Sequence, residues 1–92
     1  MNKTLQKLTI IANSEDAELD GCNLKIGNYR VKRTNEKIIH FYYGNVIAEI
    51  YFYKKECYLY DCGYKKYKLT TAQLNFLTNY YLKKGYKIIK GD

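Results

Sequence analysis

Val46-Ile47-Ala48-Glu49-Ile50-Tyr51-Phe52-Tyr53 is the stretch whose reading decides the fold. Side chains on a strand alternate, so Val46, Ala48, Ile50 and Phe52 fall on one face and Glu49, Tyr51 and Tyr53 on the other. One face is a core face; the other is aromatic and half-polar. Downstream, Thr70-Thr71-Ala72-Gln73 reads as a helix start, because Thr70 and Gln73 have the spacing of a capping box. Leu74, Leu77 and Tyr81 then share a helical face, which Phe76 and Tyr80 widen. Lys83 and Lys84 complement the helix dipole in the last turn, and Gly85 takes the C′ position. Tyr86 to Lys90 returns as a final strand.

Upstream, Leu24-Lys25-Ile26 and Tyr29-Arg30-Val31-Lys32-Arg33 form a hairpin over Gly27-Asn28, with a turn compatible with type I′. Arg30 and Lys32 point away from Tyr29 and Val31. Thr34 to Lys37 is a polar turn, and Ile38 to Tyr43 resumes strand character. Gly44-Asn45 either closes a hairpin or bulges one long strand. Cys57 to Tyr60 and Tyr64 to Leu69 are shorter strands, separated by Asp61-Cys62-Gly63. Leu8-Thr9-Ile10-Ile11 has strand composition and is read as a strand, with a short helix the other option. Ser14 to Gly21 holds four of the nine acidic residues and reads as a solvated loop.

The expectation is a single α+β domain over residues 1–92. It has a twisted antiparallel sheet of about five strands, with one C-terminal helix over about 71–84 packed on one face. A chain of 92 residues is near the low end for a single hydrophobic core. No apolar run approaches a membrane span, and the N-terminus carries no signal-peptide core. With the odd cysteine count (Cys22, Cys57, Cys62), this points to a reduced, cytoplasmic protein.

Chemistry is sparse. His40 stands alone on a strand among apolar neighbours, where a structural role is expected. A zinc site from Cys22, His40, Cys57 and Cys62 has suitable ligand types, but the Cys-x4-Cys spacer is loose and the other ligands scattered, so no metal is expected. No glycine loop cradles phosphate and no carboxylate pair suggests acid–base chemistry. No cofactor and no enzymatic activity are expected.

The net charge of +7 invites an acidic partner, although Lys, Tyr, Asn and Ile make up nearly half of the chain, as an AT-rich genome would supply. Only Arg30 and Arg33 are arginines. The main signal is tyrosine interleaved with lysine. Tyr51, Tyr53, Lys54 and Lys55 form one cluster, and Tyr64, Lys65, Lys66, Tyr67 and Lys68 a second. Tyr80, Tyr81, Lys83, Lys84, Tyr86 and Lys87 form a third. Rings that stack bases beside lysines that track phosphates are how single-strand binders work. Tyrosine also favours strands and enriches protein interfaces.

Tyr43-Gly44-Asn45-Val46-Ile47-Ala48 resembles the Tyr-x-Thr-x-Ile-Ala strand of a family of small uncharacterised proteins from bacteriophages and mobile elements. Lys68-Leu69-Thr70-Thr71-Ala72-Gln73-Leu74-Asn75-Phe76-Leu77 resembles the Ser/Lys-x-Thr-Thr helix start of that family. Asn45 stands where a threonine is usual, and the histidine that often follows the Thr-Thr pair is missing. The resemblance implies a sheet with one C-terminal helix and a non-enzymatic inhibitor or adaptor. Such a protein would bind a host protein, as an anti-CRISPR or other anti-defence factor acting on a nucleic-acid-targeting complex. The alternative is a direct single-stranded DNA or RNA binder using the Tyr/Lys surface with Arg30 and Arg33. A structural phage protein is a third option, and a homodimer through a strand edge a further one.

Overall fold

The computed structural model describes residues 3–14, 22–60 and 69–90. Their elements are α1 (Lys3–Ala12), β1 (Cys22–Ile26), β2 (Tyr29–Arg33), β3 (Lys37–Tyr42), β4 (Asn45–Tyr51), β5 (Glu56–Leu59), α2 (Thr71–Lys83) and β6 (Lys87–Lys90). The strands form one six-stranded sheet in sequence order. The fold is α+β, as expected.

Three features differ from the sequence reading. First, Leu8 to Ile11 is helical. Leu5, Leu8, Thr9 and Ala12 are the buried residues of α1, at the i, i+3, i+4, i+7 spacing of one helical face. Second, the sheet is mixed and has six strands. β1 to β5 is an antiparallel meander, whereas β6 pairs parallel to β5 (Cys57 opposite Ile88). The helix α2 carries the chain back before β6, and a return through a helix makes the strands parallel.

Third, the fully buried residues of β4 are Ile47, Ala48 and Ile50; of the expected core face Val46 is the one that turns away, while Phe52, just past the strand, packs against the core. Val46 pairs with Phe41 and Ala48 with His40, so Ile47 is the extra residue of a bulge. It and Ala48 both turn inward, and Val46 is left half-buried. Phe52 lies beyond the strand end, half-buried beneath the Arg33 guanidinium at 4.6 Å.

The β3–β4 connection is a hairpin over Tyr43-Gly44, both at positive φ (50° and 76°), the pattern of a type I′ turn. At Gly27-Asn28 only Gly27 has positive φ, which is the type II′ pattern rather than I′. Between β2 and β3, the Thr34 hydroxyl accepts from the Glu36 and Lys37 amides, fixing the polar turn.

The start of α2 is as read. Thr70 and Gln73 form both bonds of the capping box, and Gln73 also donates to the Tyr29 hydroxyl, tying the helix to β2. At the other end Gly85 (φ 89°) donates to Leu82 and Tyr86 to Tyr81, a Schellman closure with the two rings in edge contact.

Both helices lie on one face of the sheet, α1 against β1 and β2 and α2 against β5 and β6. Between them Val31, Ile38, His40, Ala48, Ile50, Cys57 and Leu59 close the core. Residues 15–21 and 61–68, which carry the acidic loop and the expected strand from Tyr64, lie outside the described residues.

Candidate nucleic-acid interface

Pairing partners in a sheet point to the same side, so the register defines the face opposite α1 and α2. Three rungs cross it. The first is Lys25–Arg30–Phe41–Val46, and the second is Asn23–Lys32–Ile39–Glu49–Tyr58–Ile89. The third is Lys37–Tyr51–Glu56–Lys87. Tyr60 follows β5 and reaches the same side. Four rings (Phe41, Tyr51, Tyr58, Tyr60) therefore lie among five cations and two carboxylates.

The rings are held in place. Glu49 accepts from the hydroxyls of Tyr51 (3.0 Å) and Tyr60 (3.2 Å) and from the Lys37 ammonium (3.2 Å). Burial pushes the Glu49 carboxyl up, but the bonds from Tyr51, Lys37 and Tyr60 outweigh it and hold it below the usual carboxylate value. The Glu49 bond likewise holds the Lys37 ammonium above its ordinary value. Tyr58 donates to Glu56 at 3.1 Å, and its ring meets Tyr51 edge-on at 5.7 Å. Arg30 lies over Phe41 at 5.2 Å while its Nε donates to Asn23.

The residues nominated from sequence divide among several surfaces. Arg30, Tyr51 and Lys87 are on the open face. Tyr53, Lys54 and Lys55 occupy the β4–β5 turn, where Tyr53 is 98% exposed and Lys55 covers the Tyr86 ring. Tyr80, Lys83 and Lys84 belong to the α2 side of the molecule, with Lys84 over the Tyr80 ring. Tyr86 is buried in the core, so it cannot serve as a surface ring. Arg33 is turned to the helical side, where it donates to the Ala12 carbonyl at 2.7 Å and closes α1. Tyr64, Lys65, Lys66, Tyr67 and Lys68 lie outside the described residues.

Lys25, Lys32, Lys37, Phe41, Tyr58 and Tyr60 were not nominated. Alternation within each strand carried the signal, since Arg30 and Lys32 sit opposite Tyr29 and Val31, and Tyr58 alternates with Cys57 and Leu59. Only the register brings these strands into common rungs.

His40 is buried and neutral: burial lowers its pKa to about 4. Burial pushes the Cys57 thiol up to about 12, which removes it as a nucleophile at neutral pH. Among the described residues, no group of three or more His, Cys, Asp or Glu gathers to hold a metal. No described helix is long and apolar enough to cross a membrane.

No family model, curated protein or solved structure matches the chain.

Proposed function

We propose that this is a non-catalytic binding protein whose sheet face opposite α1 and α2 engages single-stranded nucleic acid. The observation that carries the reading is the three rungs together with Tyr60, which set four aromatic rings among five cations on the side away from α1 and α2. Unpaired bases offer π-faces to rings of this kind, and lysine and arginine neutralise the phosphates between them. The hydrogen bonds to Glu49 and Glu56 orient three of the rings before any ligand arrives, which lowers the ordering cost of binding.

Titration of a fluorescently labelled single strand by anisotropy tests this. Single strand is expected to bind in preference to duplex, with log affinity falling against log salt by roughly 0.7 per phosphate neutralised. Tyr58→Ala and Lys32→Glu should each weaken it. Salt-independent binding, equal affinity for duplex, or no binding at low salt would sink the reading.

A host-protein inhibitor is the second reading, supported by the helical side. Ile10 and Leu82 are more than half exposed there, and Phe76 and Tyr80 form a ring pair on α2 beside Lys83. With the resemblance to phage-encoded proteins, that partner would be a defence factor. A pull-down from bacterial lysate, with and without nuclease, separates the two. A defined host protein that survives nuclease favours the inhibitor, and capture that vanishes favours the nucleic acid.

A further inference from the structure

One end of the open face carries a feature beyond the rungs. A groove of about 360 Å³ is lined by Lys25, Asn28, Arg30, Phe41, Tyr43 and Gly44, where the β1–β2 and β3–β4 turns meet. That volume is at the lower end of small-molecule sites. The two turns are fastened together, because the Tyr43 amide donates to the Asn28 carbonyl at 2.9 Å.

Tyr43 is an unexpected residue at this position. Its φ is +50°, in the left-handed region that asparagine and glycine adopt readily and bulky residues avoid. A type I′ turn favours Asn-Gly, and here the pair is Tyr-Gly. The side chain is also 44% exposed, so burial does not explain the choice. Its ring packs edge-on against Tyr42 at 4.8 Å, and Tyr42 lies on the buried Tyr29 at 4.8 Å. A row of rings thus leads from the core out to the groove.

The groove's cations are equally well placed. Asn23 engages Arg30 through Nε, and the two terminal nitrogens of the guanidinium carry four further N–H donors. Lys25 is the cross-strand partner of Arg30, so two positive charges stand side by side.

We infer that this groove seats one nucleotide of the bound strand, with the phosphate on Lys25 and Arg30 and the base against Tyr43. The inference rests on the single-strand reading of the sheet face and names a subsite within it. Backbone strain concentrates at functional sites, and a tyrosine kept in an asparagine position fits that pattern.

The test is anisotropy with a labelled oligo-dT of about 12 nucleotides, within the span of known single-strand sites. Tyr43→Asn should lower affinity about tenfold, while Tyr43→Phe keeps it. Lys25→Glu should lower affinity about tenfold and reduce the salt slope by about 0.7. Lys7→Glu, the same charge change on the helical side, should do neither. Thermal melts accompany each variant. Tyr43→Asn relieves the turn, so a loss of affinity with an unchanged or higher melting temperature cannot be ascribed to unfolding. If Tyr58→Ala weakens binding but Tyr43→Asn and Lys25→Glu stay within about twofold, the subsite is wrong and the face reading stands. If the wild type does not bind the strand, both fall. If polyglutamate competes as well as the oligonucleotide, the groove is only an anion site and the inference is overturned.

Discussion

The phenol oxygen of Tyr81 on α2 and Nε2 of His40 on β3 share a hydrogen bond of 2.7 Å in the centre of the core. The same phenol oxygen accepts from the Asn13 side chain at 3.1 Å, just past the end of α1. Three elements from opposite ends of the chain meet at this oxygen. Tyr81→Phe removes the partner of the buried His40 Nε2 and of an Asn13 N–H, and should cost about 1–3 kcal/mol by urea denaturation.

The same pair sets an acid limit. The folded pKa of His40 is about 4, below its unfolded value of about 6.5. Between these values the unfolded state binds the extra proton. Its contribution is therefore complete above about pH 6.5 and lost as pH falls towards 4, by up to about 3 kcal/mol. Urea midpoints across this range should fall for the wild type, and the His40→Gln profile should be flatter.

The helical assignment of α1 separates two adjacent apolar residues. Leu8 is 1% exposed and Ile10 57%, although on a strand the two would share a face. Leu8→Ala should cost about 2–5 kcal/mol by chemical denaturation and Ile10→Ala well under 1. Equal losses would contradict the helix.

The capping box of α2 has a dual connection at Gln73. Thr70→Ala removes a cap worth about 1 kcal/mol. Gln73→Ala removes a capping-box bond and also the bond to Tyr29, and should cost about twice as much. Thermal melts of the two variants check the order.

Turn chemistry and binding should oppose each other at Tyr43. Tyr43→Asn gives the residue that a type I′ turn favours, and should raise stability by about 0.5–1 kcal/mol in a thermal melt.

Much of this fold was legible from local pattern. Thr70 and Gln73 marked a helix start, Gly85 marked its end, and the alternation in β2 separated Arg30 and Lys32 from Tyr29 and Val31. The N-terminal misreading had a legible remedy: Leu5, Leu8, Thr9 and Ala12 already held the helical spacing, with a threonine as the third inward residue. Its hydroxyl satisfies itself on the Leu5 carbonyl at 2.7 Å, which makes a buried polar group tolerable there. The bulge at Ile47 was not legible, because Val46, Ile47 and Ala48 are all apolar and alternation alone cannot say which two turn inward.

The candidate site was legible in kind and not in place. Tyrosine next to lysine in sequence pointed to the β4–β5 turn and the end of α2. On a strand, however, adjacent residues face opposite ways, so a surface is assembled from alternate residues of neighbouring strands. Tyr86 went into the core and Arg33 to the end of α1, while Lys32, Lys37 and Tyr58 joined the open face. The sequence by itself determined the strands from β1 to β6 and the helix α2, but not α1, because alternation and capping are local properties of side-chain spacing. Tertiary structure alone decided which rings and charges share a face, because strand register and the single-sided placement of two helices join residues that are distant in the chain.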